Sequence, residues 1–139
     1  ANARSGNLEL RLAHGLAHDE LPLFAAACDV ILCTSETEGW PNSVKEALAC
    51  NVPFVSTDVS DLPDIARLEP SCRISPPDPE AIAVALREAL ASTERPDLRK
   101  YVAGMTPDAA SDHLMAVYTR AVSQHRRDSS NALASPIEA

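Results

Sequence analysis

Aromatic side chains make up only 4% of this 139-residue sequence. That scarcity excludes a core built on stacked rings and leaves it to Ala, Leu, Val and Ile, as expected where helices pack on a parallel sheet. Positive charge is short as well, with 12 Lys and Arg against 20 Asp and Glu and a net charge of −8. Without a basic stripe, a nucleic-acid backbone is excluded as a partner. No apolar run reaches the roughly 18 residues of a membrane span, and no charged-then-apolar leader opens the chain. Cys28, Cys33, Cys50 and Cys72 form no Cys-x-x-Cys pair, and three of them lie in apolar segments. They read as reduced core residues, which places the protein in the cytoplasm. His14 and His18 are four apart, but Gly15 puts a turn between them, so no metal site is expected.

What remains is ordinary for one soluble domain with a real core: 45% hydrophobic and 23% charged residues. The opening, Ala1 onward, has no initiating Met and leads almost directly into a strand, so the chain reads as cut from something longer. Internal repeats and low-complexity runs are lacking.

The informative stretch is 37–61. A Gly- and Pro-containing turn leads into a short helix with Glu46 in its first turn, the helix breaks at Asn51 and Pro53, and a buried strand follows over 54–57. Glu38 and Glu46 bracket the helix start. A helix N-terminus offers unpaired amides and a positive dipole end, so such a loop can hold a phosphate while the flanking acids accept from sugar hydroxyls. In outline this is a nucleotide-sugar site.

Along the rest of the chain, Leu8, Leu10 and Leu12 alternate with polar or small residues and predict a strand. Residues 18–28 predict an amphipathic helix with Asp19 and Glu20 in its first turn. The apolar run 29–34 predicts a strand buried on both faces. The turn-rich segment 58–64 is expected to start a short helix through Arg67, and a brief strand at 73–74 follows. Asp78-Pro79-Glu80 is a strong helix start, with an end expected near Ser92. A weak helix over 96–103 precedes a second cap-proline-acid signature, Thr106-Pro107-Asp108, and a long helix to about Arg126. Residues 128–139, rich in Ser, Asn, Ala and Pro, read as a flexible tail. Alternation of strand and helix implies an α/β, Rossmann-like parallel sheet with helices on both faces. Ligands of such sheets sit beyond the carboxyl ends of the strands, where the 35–42 loop lies.

Four pieces in this order carry a family resemblance: Leu-Phe-Ala-Ala-Ala-Cys-Asp-Val-Ile-Leu from Leu23, Glu-Gly-Trp-Pro-Asn-Ser-Val-Lys-Glu-Ala-Leu-Ala-Cys from Glu38, Pro-Phe-Val-Ser-Thr-Asp from Pro53, and Pro-Pro-Asp-Pro-Glu-Ala from Pro76. Residues 8–92 resemble the C-terminal, donor-binding domain of retaining GT-B glycosyltransferases of the group 1 class. The resemblance implies the C-terminal half of a GT-B fold, truncated at its N-terminus, with a partial donor domain over 1–127. It implies transfer of a hexose-type sugar from a nucleotide-diphosphate sugar with retention, with no cofactor or metal. By resemblance Glu46 holds the ribose hydroxyls and Glu38 faces the transferred sugar. The amides of Gly39, Asn42, Ser43 and Val44 line the diphosphate and sugar, and the backbone near Leu16 touches the base. The acceptor, a sugar, lipid or small molecule, would bind a missing N-terminal domain, the longer protein could lie peripherally on a membrane, and the fragment alone should be inactive. Half a sheet with an open edge should also self-associate.

The chain departs from the family pattern at Asn51, where Gly is common, and at Ser60-Asp61, where Gly-Gly is common. Plainer readings stand beside the functional ones. Ser43-x-x-Glu46 fits a capping box, Glu38 a solvated loop acid, Lys45 a surface lysine and Trp40 a packing residue. A non-catalytic module that keeps the fold, and a GT-B type nucleotide-sugar epimerase, are the alternatives.

Overall fold

The computed structural model describes residues 3–5, 8–93 and 96–134. The chain divides into two compact units, 1–103 and 104–139.

The first unit is built on a parallel sheet of three strands, β3 (Ile31–Cys33), β4 (Phe54–Ser56) and β5 (Arg73–Ile74), in that spatial order. Ile31 lies opposite Phe54, and Val55 opposite Arg73. Central β4 is buried at every position because successive side chains point to opposite faces and both faces are covered. Phe54 points into the main core with Val44 and Leu48 of α2 (Asn42–Ala49) and Leu62 and Ile65 of α3 (Leu62–Leu68). Val55 points the other way, against Ala85 and Ala89 of α4 (Pro79–Ala91). Helices on both faces of a parallel sheet make the Rossmann-like α/β arrangement.

α4 begins as its sequence dictates. The Asp78 carboxylate accepts from the Glu80 and Ala81 amides at 3.1 and 2.9 Å, with Pro79 at the first helical position. α2 ends on Asn51 in the left-handed conformation, φ +60°. The Asn51 amide donates to the Leu48 carbonyl at 3.0 Å and the Val52 amide to that of Ala47 at 2.8 Å, which is a Schellman closure. A glycine could take this backbone form, but the asparagine adds two contacts. Its Oδ1 accepts from the amides of Leu98 and Arg99, both at 3.0 Å, and so docks the 3-10 turn Arg99–Tyr101 on the end of α2. Leu98 is wholly buried in the main core.

The other end of that turn is held by Glu69. Its buried carboxylate accepts from the Tyr101 hydroxyl and pairs with the Lys100 ammonium, each at 2.7 Å. Those bonds, Lys100 first and Tyr101 second, hold the Glu69 carboxyl below the usual carboxylate range. Such a group contributes stability above its unfolded pKa, of about 4.3, and the contribution is lost as pH falls through the lower folded value. Tyr101→Phe is therefore expected to cost about 1.5 kcal/mol at neutral pH. Urea titrations should show the gap between wild type and variant shrinking as pH falls below 4.

Several elements differ from the sequence expectation. The strand expected over 8–12 is shorter, β2 (Leu8–Leu10), and pairs antiparallel with β1 (Ala3–Ser5) in a separate two-stranded sheet. The parallel sheet accordingly has three strands among the described residues, not four. Antiparallel strands need only a short link, so β2 can pair with the strand directly before it in the chain. The helix expected over 18–28 is only α1 (Leu21–Ala26), with Glu20 as its N-cap, so Asp19 and Glu20 precede it. Pro22 explains this, since proline is tolerated only in a helix's first turn. Residues 17–20 form a turn instead, and Glu20 accepts from the Ala17 amide at 2.9 Å.

In the second unit, α5 (Pro107–Ala134) starts on Thr106, whose hydroxyl accepts from the Ala109 amide at 3.2 Å. It continues past the expected end near Arg126; residues 135–139 of the expected tail lie outside the described residues. Among the described residues no helix is long and apolar enough to cross a membrane. All four cysteines are free thiols, and burial pushes those of Cys28 and Cys72 up from their usual value.

Candidate functional site

β3 delivers the chain to the carboxyl end of the sheet, residues 34–41 turn it round, and α2 carries it back. The start of α2 therefore lies at the sheet's carboxyl end, where ligands of parallel sheets bind.

The loop is pinned by hydroxyls. Thr57, directly after β4, donates its Oγ1 proton to the Ser35 carbonyl at 2.5 Å, tying the two strand ends together. The Ser35 hydroxyl donates to Glu38 Oε1 at 2.8 Å, so Glu38 is an exposed loop acid held in place rather than swinging freely. The sequence reading did not single out Ser35 or Thr57. A Ser three residues before a loop acid, just past a strand, was the available signal. Trp40 is partly buried and packs against the main core, anchoring the turn as its packing reading required. A side chain at Gly39 would meet open space, with nothing within 4 Å of an added Cβ.

α2 opens with Pro41 as N-cap, and no side chain caps it. Proline has no N–H, and the first intrahelical bond comes from the Lys45 amide to the Pro41 carbonyl at 3.1 Å. The amides of Asn42, Ser43 and Val44 thus precede the first intrahelical donor and are the orphan donors of this terminus. The three residues share that backbone role but differ in their side chains. Val44 is wholly buried, backbone included, whereas Ser43 and Asn42 are exposed. Lys45 Nζ donates to Asn42 Oδ1 at 3.2 Å and sits 5.6 Å from the Trp40 ring centroid. Its positive charge is thereby folded back over the helix start.

Glu46 is the fifth residue of α2, not part of a first turn, which contains no acid. This is a correction to the sequence expectation. It also removes the capping box, which needs Ser43 as N-cap; here Pro41, two residues earlier, holds that position. Glu46 is half-buried, and among the described residues its carboxylate has no hydrogen bond or ion pair. Leu16 lies in the irregular segment after Gly15, whose φ is +71°. No hydrogen bond among the described residues joins Leu16 to the 35–42 loop. The Ser60 backbone is left-handed, φ +53°, so the loop after β4 takes a glycine-like form despite its side chain. Among the described residues no three His, Cys, Asp or Glu side chains converge as metal ligands.

The arrangement offers anion-directed amides, a fixed lysine and two carboxylates around one loop at the sheet's carboxyl end. Neither curated proteins nor solved structures give a match to the chain. The family model described as glycosyl transferases group 1 matches residues 4–92. That span is well over half the chain and contains the loop, α2 and all three parallel strands, so the chain belongs to the group 1 glycosyl transferases and its chemistry is glycosyl transfer.

Proposed function

We propose that the chain is the donor side of a retaining GT-B glycosyltransferase, transferring a hexose-type sugar from a nucleotide-diphosphate sugar. The observation that carries this reading is the uncapped start of α2, whose orphan amides lie beside a half-buried carboxylate that has no hydrogen bond or ion pair among the described residues, placed at the carboxyl end of the sheet. Negative charge grows on the diphosphate as the bond to the sugar breaks. The helix amides and Lys45 stabilise that charge, so in this reading the charge is met by the protein without a metal. Glu46 accepts from the ribose hydroxyls, Glu38 faces the sugar from its bond to Ser35, the Gly39, Asn42, Ser43 and Val44 amides line the diphosphate, and the backbone at Leu16 meets the base.

In this proposal the acceptor is bound by a domain outside these 139 residues, the isolated chain is inactive, and the whole protein works in the cytoplasm. The left-handed backbone at Ser60, a position where the family commonly has glycine, supports the donor reading over a module that has lost its site. The test is the anomeric configuration of the product made by the whole enzyme, read by proton NMR before mutarotation. A product with the donor's configuration is expected. An inverted product overturns retention, and failure to bind any uridine, guanosine or adenosine diphosphate sugar overturns the donor assignment itself.

A further inference from the structure

Thr57 grips the exit of β3 at two points. Its amide donates to the Cys33 carbonyl at 3.1 Å and its hydroxyl to the Ser35 carbonyl at 2.5 Å. Thr57 is itself buried, so the Ser35 backbone is fixed to the end of β4, the strand covered on both faces. The Ser35 hydroxyl has one proton to give, and gives it to Glu38 Oε1 at 2.8 Å. The buried Cys33 thiol, 3.8 Å away, donates to the Ser35 oxygen from behind and so favours that direction of the proton. Glu38 Oε2 has no hydrogen bond or ion pair among the described residues. We infer that Ser35 is a positioning residue for glycosyl transfer, holding Glu38 by one carboxylate oxygen so that the other meets the transferred sugar, and that Thr57 acts through it from β4.

The inference rests on the donor reading above, in which Glu38 faces the sugar. The two Thr57 bonds already close the loop onto β4. The bond from Ser35 to Glu38 adds nothing to that closure, because it joins two side chains three residues apart at an exposed position. What it fixes is the carboxylate. A glutamate on an exposed loop otherwise samples many rotamers, and ordering one costs conformational entropy. Here that ordering precedes the arrival of the donor, and geometry set in advance raises the rate of the bound complex more than it raises donor affinity.

The test is kcat and donor KM of the whole enzyme with uridine, guanosine and adenosine diphosphate sugars, for Ser35→Ala, Glu38→Ala and the double variant S35A/E38A. Ser35→Ala is expected to lower kcat about tenfold with donor KM within about threefold of wild type, and Ser35→Thr, which keeps the hydroxyl, to stay within about threefold in both. Added to Glu38→Ala, the serine change should have no further effect on kcat. Thr57→Val should lower kcat in the same way and only while Glu38 is present, which reads the link even where Ser35→Ala does not fold. Equal losses from Ser35→Ala with and without Glu38 overturn the inference and make the serine a structural tie. Unchanged kcat in Ser35→Ala, where Glu38→Ala lowers it, also overturns the inference and leaves the donor reading standing. Unchanged kcat in Glu38→Ala takes Glu38 out of the donor site, and the inference falls with it.

Discussion

Leu98→Ala is expected to destabilise the first unit by about 2–5 kcal/mol, the range for truncating a fully buried leucine. Leu98 lies beyond the residues matched by the family model, which end at 92. Even so, it is wholly buried among Val44, Leu48, Phe54 and Leu62, the side chains that hold α2 on the sheet. Two polar ties fix the segment carrying it: Asn51 Oδ1 at one end and Glu69 at the other. With both in place the backbone cannot slide in to fill the space left by the missing methyls, so the cost belongs toward the upper part of that range. A domain whose whole stability is on the order of 5–15 kcal/mol would lose a large fraction of it. Urea denaturation gives the value directly. A loss below about 1 kcal/mol would mean that residues 96–102 are peripheral to the core. Asn51 offers a finer comparison in the same experiment. Asn51→Gly keeps the left-handed turn and loses the two bonds to the Leu98 and Arg99 amides, whereas Asn51→Ala loses the bonds and strains the turn, by about 1–2 kcal/mol. The alanine variant should be the less stable of the two.

Asn51 also shows how far the sequence could be read. Its left-handed cap on α2 was legible because asparagine tolerates that conformation after a helix. Its bonds to Leu98 and Arg99 were not, because they join residues 47 and 48 positions apart and periodicity reports only near neighbours. The same division runs through the fold. Asp78-Pro79-Glu80 and Thr106-Pro107 declared their helices through local hydrogen bonds, and the apolar runs around β3 and β4 declared strands covered on both faces. Leu8, Leu10 and Leu12 alternate as a strand should, but alternation carries no information about which neighbour a strand pairs with, and here the neighbour is β1. For α1, charge near the helix start outweighed Pro22 in the reading, and the proline's steric limit decides the outcome. In the site, the loop, Glu38 and the start of α2 were legible as one continuous stretch. Ser35 and Thr57, which hold that stretch in shape, act across two strand ends and left only the Ser-to-Glu spacing as a trace.

Glu46→Gln is expected to weaken donor binding by about tenfold to a hundredfold, the factor for losing an ionised hydrogen-bond acceptor. The helix itself should be indifferent. Glutamine and glutamate have similar helix propensity, Glu46 lies past the first turn, and its carboxylate makes no hydrogen bond or ion pair among the described residues. A capping glutamate would behave in the opposite way, with stability falling and binding unmoved, so one variant separates the two roles. Calorimetric titration of the whole enzyme with uridine, guanosine and adenosine diphosphate sugars measures the binding, and thermal melting measures the fold. Glu38→Gln supplies the contrast. Its side chain is exposed and held by Ser35, and in the proposed geometry it faces the sugar rather than the ribose, so the change should lower kcat more than it raises the donor KM. If Glu46→Gln left binding unchanged while lowering the melting temperature, Glu46 would be a structural residue and the donor site would have to be sought away from α2.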